Sequence, residues 1–135
     1  MSYNIEEIQG IGASYAEKLA AANINTTDDL LKLCCTPAGR KDVSGKTGVS
    51  ESHLLRWTNM ADMMRISGVG PQYAELLEGA GVDTVKELRN RNFENLAEKM
   101  KEVNEDKNLA KTSPAASVVE GWVNQAKKLD PKITY

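Results

Sequence analysis

The segment Ile8-Gln9-Gly10-Ile11-Gly12-Ala13-Ser14-Tyr15-Ala16-Glu17 returns later in the chain as Ile66-Ser67-Gly68-Val69-Gly70-Pro71-Gln72-Tyr73-Ala74-Glu75. A fixed offset of 58 aligns residues 8–33 with 66–91, and ten of those 26 positions are identical. Other pairs are conservative: Ile11 with Val69, Ile24 with Val82, Asn25 with Asp83, Asp29 with Glu87. Self-similarity at a fixed spacing marks a duplicated supersecondary unit, so the chain is limited to folds that one such unit can adopt twice.

The unit reads as helical. Tyr15, Ala16, Leu19 and Ala22 fall on one helical face, and Tyr73, Ala74, Leu77 and Ala80 repeat it. Asn23 and Gly81 occupy matching places just past that helix, where a left-handed residue is wanted and Asn or Gly supplies it at least cost. Ile24 and Val82 follow as apolar contacts. Thr26 with Asp29, and Thr84 with Glu87, then have the spacing of capping boxes that restart helices bearing Leu30, Leu31 and Leu33, or Val85 and Leu88. Thr36-Pro37 and Ser113-Pro114 read as further helix starts, because Pro is favoured at the first helical position.

A helix is predicted over about 50–65, with Leu54, Trp57, Ala61 and Met64 as its buried stripe. Trp57 and Ala61 match Trp122 and Ala126 at an offset of 65, so the second unit has gained seven residues, about two helical turns. That length fits Asn95 to Leu109, as a longer third helix or a longer loop, with Leu96, Met100 and Val103 as its buried stripe. The matched tryptophans read as core anchors. The stretch 43–48 is the least committed to structure, and the tail after Pro131 is expected to fray. The resulting expectation is an all-α protein of two fused repeats, each a small bundle of about four to five helices. The units are 1–65 and 66–135, rigidly packed through the helix around 50–65, because no Pro/Gly/Ser-rich linker separates them.

Several kinds of chemistry find no support. No apolar run approaches the roughly 20 residues of a membrane span, and no basic-then-apolar leader is present. The two cysteines, Cys34 and Cys35, are adjacent, which suits neither a secreted disulfide framework nor a metal site, and implies reduced thiols and a cytoplasmic location. His53 is the only histidine, and without a nucleophile signature it makes no triad. Ser44-Gly45-Lys46-Thr47 matches the end of a phosphate-binding loop, yet the first glycine of that pattern would fall on Arg40. The carboxylate pairs Glu6-Glu7 and Asp28-Asp29 stand at helix starts, where negative charge complements the dipole. The chain therefore reads as a non-enzyme with no cofactor, metal, membrane or small-molecule partner.

Apolar-Gly-apolar-Gly between short helices makes a sharp turn in which Ile11 or Val69 points into the core and backbone N–H groups open onto solvent at the next helix start. Such amides bind oxyanions. With Ala16 and Leu19, or Ala74 and Leu77, behind them, Gly10-Ile11-Gly12 and Gly68-Val69-Gly70 resemble the helix-hairpin-helix motif. Together with Thr36-Pro37-Ala38-Gly39-Arg40-Lys41 and Leu54-Leu55-Arg56-Trp57, nearly the whole chain resembles an uncharacterised prokaryotic family of tandem helix-hairpin-helix repeat proteins.

That resemblance implies sequence-independent DNA backbone binding, with the turns Gly10, Ile11, Gly12, Ala13 and Gly68, Val69, Gly70 gripping phosphates. Pro71 has no N–H and weakens the second turn. Lys18 follows the first turn, and Arg40, Lys41 and Lys46, within a basic cluster that also holds Arg56 and Arg65, would extend a phosphate track if they fold beside it. The formal net charge of −2 gives little general attraction to phosphate. The alternative is a protein-interaction or scaffold module whose turns bind no nucleic acid. Gly12→Val is expected to destabilise the fold by steric strain.

Overall fold

The computed structural model describes residues 2–135. A 3₁₀ turn, Ile5–Glu7, opens it, held by Asn4: its side chain accepts from the Glu6 N–H at 2.9 Å, while the Glu7 carboxylate accepts from the Asn4 N–H at 3.2 Å. Eight α-helices follow: α1 (Ala13–Ala20), α2 (Thr27–Cys34), α3 (Pro37–Thr47), α4 (Glu51–Met63), α5 (Pro71–Gly79), α6 (Val85–Leu88), α7 (Phe93–Lys107) and α8 (Ala116–Lys128). Among the described residues there is no β-strand, only an isolated antiparallel bridge between Asn4 and Thr26.

The duplication in the letters is a duplication of backbone geometry. Ile8 N–H bonds Ile5 O and Ile11 N–H bonds Ile8 O; 58 residues on, Ile66 bonds Met63 and Val69 bonds Ile66 in the same way. Both first helices end alike. Asn23, at φ 66°, and Gly81, at φ 91°, turn the chain left-handed, and the amides of Ile24 and Val82 reach back to Leu19 O and Leu77 O. This is the six-to-one bond of a Schellman motif. At the offset of 65, α4 and α8 are both thirteen residues long and start at equivalent positions. Leu54, Trp57, Thr58 and Ala61 are buried on one, and Val119, Trp122, Val123 and Ala126 on the other.

The first capping box forms as its spacing predicts, and the second forms only in half. Thr26 accepts from the Asp29 N–H, and Asp29 accepts from the Thr26 N–H at 3.1 Å. Thr84 accepts from the Glu87 N–H at 3.4 Å, and the Glu87 carboxylate takes the Asp83 N–H instead. One continuous apolar core runs from Ile5 to Ala126. Helix α4 packs against α2, α3 and α5. Its Asp62, 2 % exposed, pairs with Arg65 at 2.8 Å and accepts the Val85 N–H at 2.9 Å, capping α6 from a distance. No described helix is long and apolar enough to cross a membrane.

Three local expectations are corrected. Residues 43–47 are the last turns of α3, anchored by buried Val43 and stopped by Gly48 at φ 77°. Ser113-Pro114 does not start α8, which begins two residues later; the Ser113 hydroxyl instead accepts from Asn104 at 3.4 Å. The tail past Pro131 lies against the first half of the chain, with Thr134 N–H bonded to Cys35 O at 2.8 Å and Tyr135 hydroxyl 3.5 Å from Asn59 Oδ1. The added length goes to both the third helix and the connection after it: α7 has 15 residues where α3 has 11, and residues 108–115 join α7 to α8 where 48–50 join α3 to α4, with Leu96 and Met100 buried and Val103 packed at the edge of the core.

Candidate functional site

In each Gly-x-Gly turn the first glycine carries the strain. Gly10 has φ 95° and Gly68 φ 96°. A Cβ there would stand 3.3 Å from Trp57 Nε1 in the first turn and 3.2 Å from Trp122 Nε1 in the second. The middle residues, Ile11 and Val69, are buried. Gly12 and Gly70 are extended, at φ −87° and −93°, and a Cβ on either would meet nothing within 4 Å. The steric need assigned to Gly12 therefore belongs to Gly10.

What Gly12 supplies is the absence of a cap. Asn4, Thr26, Thr36, Ser50, Thr84 and Asn92 each turn a side-chain oxygen onto the helix they precede. Gly12, Gly70 and Ala115 offer none. The first-turn amides of a helix have no partner within it, so in α1 the N–H groups of Ala13 and Ser14, both exposed residues, have no side-chain cap.

Cationic and aromatic groups gather at this first turn. Arg56 reaches from α4 to Gln9 O with Nη1 at 3.5 Å, and its Nη2 meets Glu78 Oε1 of α5 at 3.0 Å. Lys18 is exposed, with Nζ 5.6 Å from the centre of the Tyr15 ring. Tyr15 sits edge-on to Trp57 at 5.0 Å, and exposed His53 lies nearly parallel to the same indole, 5.4 Å away at 10°. Burial and the neighbouring Glu78 push the Glu75 carboxyl above its usual range against the pull of Arg56. Acidic groups thus border the turn on its α5 side.

The second turn keeps the tyrosine and tryptophan, as Tyr73 and Trp122, and lacks the rest. Pro71 stands where Ala13 offers an amide, buried Leu76 where Lys18 is, Gly121 where Arg56 is, and Val118 where His53 is. Its backbone is also occupied: Gln125 accepts the Ser67 N–H at 3.0 Å and donates to Ser67 O at 3.2 Å.

Among the described residues no hydrogen bond or ion pair joins the other basic candidates to the turn. Arg40 is 5 % exposed and spends its guanidinium on Cys34 O at 2.9 Å and Thr134 O at 2.8 Å, so it ties α2 to the tail and is no part of a surface track. Lys46 pairs with Asp42 at 3.1 Å, and Lys41 is exposed on α3, which packs on α2 and α4. The guanidinium that reaches the turn is that of Arg56, a member of the basic cluster whose place was not read from the sequence. The available signal was its position one residue before Trp57, the anchor beneath Gly10. Ser44 to Thr47 is helical. Cys34 and Cys35 are free thiols, the first buried, and among the described residues no three His, Cys, Asp or Glu side chains group as a metal site requires.

A family model described as a domain of unknown function (DUF4332) matches residues 9–129. No curated protein and no solved structure matches the chain.

Proposed function

The chain belongs to that family of unknown function, and we propose that it is a non-enzymatic module that grips the sugar-phosphate backbone of nucleic acid, without regard to sequence, through one of its two glycine turns. In this reading 1–65 and 66–135 are helix-hairpin-helix units joined rigidly through α4. Only the first is a binding turn. The observation that supports it is the start of α1 at exposed Ala13 and Ser14, which no side chain caps, with Lys18 on the same helix and Arg56 reaching the turn at Gln9 O. Uncapped amides and two cations suit one or two phosphates, each contact being a charge-assisted hydrogen bond.

With about two phosphates neutralised, affinity should fall about tenfold between roughly 50 and 200 mM salt, a shallow dependence beside that of strongly basic proteins. Fluorescence anisotropy with a labelled oligonucleotide at the two salt concentrations measures this. No binding at the lower salt overturns the reading. A protein-docking or scaffold role is the second reading, favoured by Glu75 and Glu78 beside Arg56, which offset its charge; it predicts no nucleic-acid binding at either salt concentration.

A further inference from the structure

We propose that the strand held at the first turn is single-stranded and that one of its bases stacks on the His53 imidazole; this rests on the backbone-binding reading above. The imidazole is set as a platform. One face lies on the buried Trp57 indole at 5.4 Å and 10°, and its Nδ1 is 3.0 Å from the Ser50 hydroxyl, which also caps the helix that carries it. A ring fixed on two sides loses little conformational freedom when a second ring covers it. His53 is nevertheless exposed, and in this proposal the ring face turned away from Trp57 is the one that receives the base.

The platform adjoins the phosphate-binding amides. Tyr15, in the uncapped first turn of α1, has its ring 5.9 Å from His53 and 5.0 Å from Trp57, while Trp57 Nε1 and Arg56 Nη1 both flank Gly10. Amides for a phosphate, a cation and an exposed imidazole therefore occupy one neighbourhood. This is the combination by which single strands are held without sequence preference, because every base has a π face but only an unpaired base can leave its stack. A duplex would offer the backbone alone.

The second unit serves as an internal control. Tyr73 and Trp122 repeat the lower part of the cluster, with ring centres 5.3 Å apart. In place of the imidazole stands Val118, 45 % exposed. The unit that loses the amide and both cations also loses the platform.

The test compares a labelled thymidine strand of about ten nucleotides, an abasic strand of the same length and a duplex, all at low salt, by anisotropy. Wild type should bind the thymidine strand about tenfold more tightly than either of the others, within the range for one stacked base. His53→Val, which installs the residue of the second unit, should lose that advantage while binding the abasic strand as wild type does, and His53→Phe should keep it. Equal affinity of wild type for the thymidine and abasic strands, or an unchanged preference in His53→Val, overturns the stacking proposal and leaves backbone binding standing. Absence of binding to all three overturns both.

Discussion

At the scale of single residues, the two glycines of each turn are identical as letters and different as physics. Gly10 combines φ 95° with an indole nitrogen 3.3 Å from where a Cβ would be, whereas Gly12 has an ordinary extended backbone and open space. Gly10→Ala should therefore cost about 1–3 kcal/mol, and Gly12→Ala at most about 1 kcal/mol; urea unfolding measures both, and equal costs would contradict the assignment. The repeat itself was legible in the sequence, but which glycine is strained depends on Trp57, 47 residues away, and on backbone angles that no spacing reveals. Ala13→Pro copies Pro71 at a position where Pro suits a helix start. It should leave the melting temperature close to wild type and weaken nucleic-acid binding about tenfold, as loss of one charge-assisted bond implies. Burial pushes the Cys34 thiol up to about 11, against the pull of Arg40. Between its ordinary value of 9.0 and 11 the unfolded chain releases this proton and the folded chain keeps it, so stability falls across that window. The loss is about 2 kcal/mol at the upper end, and Cys34→Ala should show a correspondingly shallower decline in urea midpoints measured through the window.

At the scale of elements, local signals were read well and distant ones were missed. Thr26 and Asp29 lie three residues apart, so their reciprocal bonds are written into the spacing; the Asn25 N–H above all, with further bonds from Thr26, holds the Asp29 carboxyl below its ordinary value. Ser113-Pro114 has the same local form as Thr36-Pro37, yet Ser113 is engaged by Asn104 of α7 and the helix starts beyond it. Asp62 had no local signature. Its partner amide is on Val85, 23 residues further on. Because Asp62 is buried against Arg65, Asp62→Ala leaves a half-buried guanidinium without its carboxylate and α6 without its distant cap, and should cost about 3 kcal/mol. Asp62→Asn retains an acceptor for Val85 and should cost less. A denaturation midpoint at the wild-type value in Asp62→Ala would show that the pair carries no net stabilisation.

At the scale of the whole molecule, the two repeats share one core and are tied by α4, by Arg56 with Glu78, by Arg65 with Asp130 O and by the tail on Cys35. They should unfold together. Trp57 and Trp122 report one unit each, so Trp57→Phe and Trp122→Phe leave single fluorophores in opposite halves; within each variant, the fluorescence transition should coincide with that of far-ultraviolet circular dichroism, and divergence would mean independent units. The duplication conserves what folds the chain, namely the strained glycine, the left-handed stop, the capping Thr and the tryptophan anchor. It diverges at Ala13/Pro71, Lys18/Leu76, His53/Val118 and Arg56/Gly121, and every one of these changes removes a donor, a charge or a stacking face from the second turn. The aligned sequence already carries the first two of these losses; the other two became visible once Trp57 was seen against Tyr15 and Trp122 against Tyr73. The most direct test is an amide chemical-shift titration with a short single strand at low salt. The account predicts that shifts concentrate at residues 10–18 and around His53 and Arg56 while residues 68–76 stay still; equal shifts at both turns, or movement only at the second, would contradict it.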